Sequence, residues 1–434
     1  MLKNVLQKLT PGAFLNSVAK VVGGNAVTSL ISLITSVFVA RWTTPYEMGL
    51  WNLALLVSIY APVLQMGVFN GLNRQLPYFL GKGDHDTALS MAAVSYAWCL
   101  VLTVASLVMT LLAALLFLLR GETLHSYGAL AIGLIVTASW MTQYLTVTYR
   151  TSAEFGRLAG RNTVVAFISV PLTLLVLALG YIGLMMRAVL VALLGVASLL
   201  YRRPVRVAPV WNRALFLHLC KIGMPIWFLG QLGVFFLTLD RIMLADSPLN
   251  LGYFSISIQA SAFASMIPIA ITMVMYPQMV HAYGESNQAM PAWRLARKGA
   301  LTASALGAVA ALSGWLLIPH FIELLVPAYQ PGARAAQWAC LSGLAMGFSV
   351  YNNIFNVIGR QDIYLLSLAV GLAVFFSAWH LLRAAGQGEI VGAVQSMLLA
   401  NFIMSIASML LSRVACVLHD QRVCSAAKPL PAAT

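Results

Sequence analysis

This sequence is short of charge. Only 9% of its 434 residues are Asp, Glu, Lys or Arg, while 60% are apolar, against about 25% charged and 45–50% apolar in a soluble domain. With a mean hydropathy of +0.86, a water-solvated globule is excluded. Acids are scarcer still: 12 Asp and Glu stand against 26 Lys and Arg, a formal net charge of +14. In a soluble chain that excess would point to nucleic acid. Here the cations fall between apolar runs, so topology accounts for most of them and no nucleic-acid partner is expected. The five cysteines (Cys99, Cys220, Cys340, Cys416, Cys424) show no CxxC or paired spacing, so neither a disulfide framework nor a metal site is expected. There is no GxxxxGK[ST], which excludes ATP hydrolysis through a P-loop, and Gly81-Lys82-Gly83 is only a basic turn. No hydrophilic loop is long enough for an extramembrane domain. The acids Glu47, Glu122, Asp246, Glu323 and Glu389 are scattered over five loops. The chain therefore reads as no enzyme, with no catalytic residue and no cofactor assigned. Lys3 and Lys8 precede a stretch interrupted by Pro11 and Asn16, which does not read as a cleavable signal peptide.

What is present is a series of apolar runs, most near or above the ~20 residues that cross ~30 Å of hydrocarbon. Unbroken runs, rather than ten-residue alternations, select helices over a barrel. Spans are expected at about 21–40, 50–77, 89–119, 128–148, 163–180, 184–200, 222–239, 251–276, 301–322, 337–358, 363–382 and 390–411. Placing the N-terminus in the cytoplasm and alternating puts twenty Lys and Arg inside and five outside, with Arg187 alone within a span. That contrast satisfies the positive-inside rule. It makes the chain an all-α membrane protein of twelve transmembrane helices, with both termini cytoplasmic.

The loop between spans six and seven carries Arg202, Arg203, Arg206, Pro204 and Pro209 and reads as a linker. The expected organisation is an N-terminal six-helix bundle over 1–200, a basic cytoplasmic linker over 201–218, a C-terminal six-helix bundle over 219–418 and a cytoplasmic tail over 419–434. The halves share a weak repeat. ARWTTPYEMGLW (Ala40–Trp51) aligns with MLADSPLNLGYF (Met243–Phe254) at an offset of 203, and Gly83-Asp84 with Gly284-Glu285 at 201. An even number of spans per half implies a parallel pseudo-two-fold repeat.

Polar residues in spans are costly and are candidate functional groups. Arg187 lies inside span six, where it either snorkels to the interface or lines a cavity. Asn70, Asn73 and Arg74 share a face at the end of span two, and Asn352, Asn356 and Arg360 stack at four-residue spacing on span ten. Arg150 ends span four, Lys20 and Asn25 open span one, and Lys221 opens span seven. Together they ring the inner mouth with cations and amides. Asp240-Arg241 closes span seven, as a local ion pair or as a gate or coupling pair. Scarce buried acids and many inward cations suggest an anionic passenger.

Three stretches carry a resemblance: VFVARWTTPYEMGLWNLA, LDRIMLADSPLNLGYFSISIQ, and Pro268 with YPQMVHAYGE followed by Val326-Pro327-Ala328-Tyr329. With the span count and the six-plus-six repeat, they resemble the Wzx-like polysaccharide (O-antigen) flippases of the multidrug/oligosaccharidyl-lipid/polysaccharide (MOP) exporter superfamily, over about residues 15–415. The resemblance implies a MOP/MATE-like fold of two V-shaped bundles in the bacterial inner membrane, with a cationic cavity. It implies alternating access that moves an undecaprenyl-diphosphate-linked oligosaccharide, an O-antigen or exopolysaccharide repeat unit, from the inner to the outer leaflet. Membrane lipid, a polysaccharide polymerase and a chain-length regulator are the partners it implies. The acid that multidrug exporters carry in span one is absent from 21–40, which sets the alternative, a multidrug cation antiporter of the same superfamily, second.

Overall fold

The computed structural model describes residues 11–426 except 153; the side chains of 11–22, 25, 26, 277, 286, 424 and 426 fall outside that description. Among the described residues every regular element is helical, the arrangement that lets a lipid-embedded backbone satisfy its own polar groups. In chain order these are α1 (Pro11–Trp42), α2 (Pro45–Tyr60), α3 (Val68–Lys82), α4 (His85–Leu119), α5 (Thr123–Thr151), α6 (Phe155–Leu172), α7 (Leu174–Leu200) and α8 (Arg213–Met243). There follow α9 (Pro248–Ser286), α10 (Ala289–Leu325), α11 (Ala333–Cys340), α12 (Ser342–Phe348), α13 (Asn352–Val357), α14 (Gln361–Ala384) and α15 (Glu389–Ala426). The chain divides into two compact units, 1–234 and 235–434. The division falls within α8, and the irregular stretch over 201–212 belongs to the first unit.

Nine helices among the described residues are long and apolar enough to cross a membrane. Expected spans 21–40, 163–180 and 337–358 instead fall on α1, on α6 with the start of α7, and on α11–α13. Helix α7 is two segments. Gly180 takes φ 56° and ψ −129°, a conformation open essentially only to glycine, and the chain reverses there. Arg187 consequently reaches Thr173, its Nε donating to the hydroxyl at 3.1 Å, although fourteen residues of straight helix would separate them by about 21 Å. The segment 181–200 alone spans about 30 Å.

Besides 163–180, which crosses the join of α6 and α7 at Thr173, two expected spans are not continuous helices. The run 50–77 breaks after α2 into a 3₁₀ turn (Ala61–Gln65). Left-handed Met66 and Gly67 then follow before α3 starts. The run 337–358 is divided into α11, α12, the 3₁₀ turn Ser349–Tyr351 and α13. Both breaks sit at close backbone approaches. In the first unit a Cβ on Gly67 would lie 2.6 Å from the Gly223 carbonyl carbon, and one on Gly71 or Gly223 would also collide with facing backbone. In the second unit Gly343 faces the Ala264 carbonyl, and Gly347 faces the backbone of Ser304. Small residues at four-residue spacing let helices meet backbone to backbone, where dispersion rather than water drives association.

The repeat shows in capping. Thr44 and Ser247 are both N-caps, each followed by Pro at the first helical position, and Thr44 closes a capping box with Glu47. The second alignment is corrected by the structure. Gly83 is the left-handed cap ending α3, whereas Gly284 lies inside α9 and left-handed Asn287 ends that helix. Glycine identity alone gave the wrong register, because Asn also tolerates the left-handed region.

Candidate functional site

The second unit holds a partly open cavity of about 140 Å³, lined by both polar and apolar side chains from four parts of the chain. Helix α8 contributes Leu237, Asp240 and Arg241; α9 contributes Phe254, Ser257, Ile258, Ser261 and Ser265. Spacings of three and four residues bring each set onto one helix face. Ala339, Ser342 and Met346 come from the broken segment at the α11–α12 join, and Val394, Met397, Leu398 and Asn401 from α15. The Ser261 and Ser342 hydroxyls lie 2.8 Å apart and hydrogen-bond, tying α9 to that join. The Asn401 amide donates to the Met397 carbonyl at 2.9 Å.

Asp240 and Arg241 both line this cavity. Their contact is a backbone one, the Arg241 N–H donating to Asp240 Oδ1 at 2.8 Å. The guanidinium Nε is buried without a partner, as is the Ser257 hydroxyl. A polar atom left unpaired in this way costs on the order of 1–3 kcal/mol, so the site holds unspent hydrogen-bonding capacity. The sequence marks the Asp240-Arg241 pair as a candidate, while the serines stand out only once the helices are placed. The signal was there: Ser257, Ser261 and Ser265 recur every four residues in an otherwise apolar run.

The remaining expected residues are dispersed over the two units. On α3, Asn70 is half-buried while Asn73 and Arg74 are exposed, all on one face. Arg150, at the end of α5, and Lys221 are exposed. Arg187 is half-buried on Thr173. Lys20 and Asn25 lie on α1, and their side chains fall outside the described set. The expected stack of Asn352, Asn356 and Arg360 does not form. Helix α13 ends at Val357, and Gly359 at φ 71° turns the chain away before Arg360. Arg360 instead makes a bidentate ion pair with Asp362, at 2.9 and 2.7 Å, and Asn356 accepts from Gln361 at 3.4 Å.

One cation has a role the sequence did not signal. Arg161 bonds the Tyr149 hydroxyl and the carbonyls of Ser198 and Leu199. It thereby occupies the C-terminal end of α7, where a positive charge meets the negative end of the helix dipole.

These features define a multi-pass membrane protein, helical throughout its described regular elements, with a cavity of mixed polar and apolar lining inside one of its two units. The solved structures it is similar to are transporters. A MOP superfamily transporter from Pyrococcus furiosus, described as having a binding pocket of reverse polarity, aligns with a TM-score of 0.69 at 13% identity over 93% of this chain and 96% of that one. An inward-facing multidrug resistance MATE family transporter of the MOP superfamily gives 0.66 at 15% identity, over 91% and 96%. The Vibrio cholerae MATE transporter VcmN in its bent form gives 0.59 at 15% identity, over 94% and 99%. The chain thus has the MATE/MOP fold. No family model and no curated protein matches it.

Proposed function

We propose that this chain is a secondary transporter that flips an undecaprenyl-diphosphate-linked oligosaccharide from the inner to the outer leaflet of the bacterial inner membrane by alternating access. One observation carries the choice of an anionic cargo. Every carboxylate among the described residues of the first unit (Glu47, Asp84, Asp86, Glu122, Glu154) sits at a helix start, while Arg187 sits inside a membrane-length segment. An intramembrane ionisable residue marks a substrate or ion path by default, and in the first unit that residue is cationic. A diphosphate presents charge that Arg and Lys bind through charge-assisted hydrogen bonds. Arg187, Arg74, Arg150, Lys20 and Lys221, with the amides of Asn25, Asn70 and Asn73, all in the first unit, are the groups proposed to meet it. Arg360 contributes less, because Asp362 already compensates its charge.

The second reading, a multidrug cation antiporter of the same superfamily, is favoured by one observation, the Asp240 carboxylate in the cavity wall. Reconstitution separates the two. Proteoliposomes carry labelled undecaprenyl-diphosphate-oligosaccharide in the inner leaflet under an inside-negative potential, and label is scored as it reaches externally added lectin. The expected outcome is flipping by the wild type, with Arg187→Ala at least tenfold slower, Arg74→Ala slowed and Arg360→Ala little changed. A wild type that moves none of several such lipids but exports an amphipathic cation overturns the flippase reading in favour of the antiporter.

A further inference from the structure

The walls of the second-unit cavity match a particular ligand chemistry. Four serine hydroxyls, each able to donate and accept, converge there with the Asn401 amide, the acceptor Asp240 and the donor Arg241. The formal charges of Asp240 and Arg241 cancel. A bare cation would meet the Arg241 guanidinium in the same wall, and a phosphate would meet Asp240, each a repulsion that low dielectric magnifies. An apolar ligand would strand the hydroxyls. The ligand that fits is neutral, rich in hydroxyls and amphipathic, with carbon faces for Phe254, Val394, Met397 and Leu398. At 10–15 Å³ per water position, 140 Å³ holds about ten waters, a volume suited to one sugar ring rather than an oligosaccharide.

We infer that this cavity is a subsite for a single neutral pyranose of the cargo, an inference that rests on the flippase reading above. One Asp240 oxygen takes the Arg241 N–H, and the remaining carboxylate lone pairs accept ring hydroxyls, the usual geometry for a vicinal diol. Ser261 and Ser342, hydrogen-bonded to each other, each offer a further donor or acceptor side by side on the cavity wall.

The test uses the full chain in nanodiscs and saturation-transfer NMR, with methyl glycosides of neutral hexoses and N-acetylhexosamines, in sodium and in choline buffers. At least one glycoside is expected to bind the wild type equally in both buffers. Its Kd is expected to rise at least tenfold in Asp240→Asn and in Ser261→Leu, which fills the cavity. Ser261→Ala, which adds no volume, is expected to weaken binding by a smaller factor and to lower the thermal unfolding midpoint only slightly, through loss of the Ser261–Ser342 hydrogen bond. No glycoside binding, or binding that survives Ser261→Leu, overturns the subsite. So does a sodium-dependent rise in the unfolding midpoint that Asp240→Asn abolishes while glycosides fail to bind. Lipid flipping without cavity-dependent glycoside binding sinks the subsite and leaves the flippase standing. Cavity-dependent glycoside binding in a protein that flips no lipid keeps the pyranose site and removes the flippase reading.

Discussion

Asp420 acts on a helix other than its own. Its two carboxylate oxygens accept the Ala289 and Met290 N–H groups at 2.6 and 3.0 Å, so α15 caps the start of α10. A carboxylate at a helix N-terminus gains both hydrogen bonds and the favourable end of the dipole. Asp420→Ala is expected to lower stability by about 1–2 kcal/mol, read as a drop in the thermal unfolding midpoint in detergent, with Asp420→Asn intermediate. Asp84 caps α4 from an exposed position, accepting from Thr87 N–H at 3.0 Å. That backbone hydrogen bond, with smaller help from His85 and Lys82, holds its carboxyl below the usual carboxylate range. A depressed folded-state value means the stabilisation is complete above the unfolded pKa and is lost as pH falls through the folded one. Replacing Asp84 with Asn, itself a good N-cap, is expected to flatten the acid limb of the stability–pH curve while changing neutral stability little. An unchanged acid limb would show that this carboxylate is not one of the groups setting it.

Elements were legible where apolar runs are continuous and obscure where they break. The short gap between the expected spans 163–180 and 184–200 requires a reversal, and Gly180 supplies it. The breaks in 50–77 and 337–358 lie inside runs whose average hydropathy stays high, even though Pro62 and Gly67 stand at the first and Ser342 and Gly343 at the second. Hydropathy reports the cost of leaving water, not which carbonyl each N–H finds. What fixes the breaks is contact: Gly67 and Gly71 meet Gly223 and Leu219 of α8 inside the first unit. Gly71→Ala and Gly223→Ala are each expected to cost about 1–3 kcal/mol through overpacking against backbone that cannot yield. Gly160→Ala, where a Cβ would meet open space, is expected to be neutral or slightly stabilising. Unfolding midpoints of the three variants in one detergent decide it; equal values for all three would refute the packing account.

At the scale of the molecule, the shortage of acids gives the transport reading an electrical signature. An anion leaving a negative interior moves downhill, at ~2.3 kcal/mol per charge per 100 mV. The proposed flipping is therefore expected to speed up as the imposed inside-negative potential grows and to slow when it is reversed, measured in the same proteoliposomes with ionophore-set potentials. A rate indifferent to potential would mean that the diphosphate charge is compensated during the crossing, by bound cations or by the protein's own arginines.

Composition determined that this chain lives in a bilayer, because transfer free energies add residue by residue, and the unbroken apolar runs determined that it does so as helices, since only helices and closed barrels pair a lipid-embedded backbone and a barrel needs alternation. The sequence also placed most span positions, and it marked Asp240-Arg241 and Arg187 as residues to explain. Only tertiary structure decided what those residues touch. Arg187 meets Thr173 because the chain reverses at Gly180, and Arg360 is withdrawn from its expected stack because Gly359 ends the helix. Asp240 becomes part of a site only where α8, α9, the α11–α12 join and α15 converge, four segments separated by up to about 160 residues of sequence. Hydrogen bonds and cavities depend on distances of a few ångströms between such segments, and no local pattern of residue types encodes those distances.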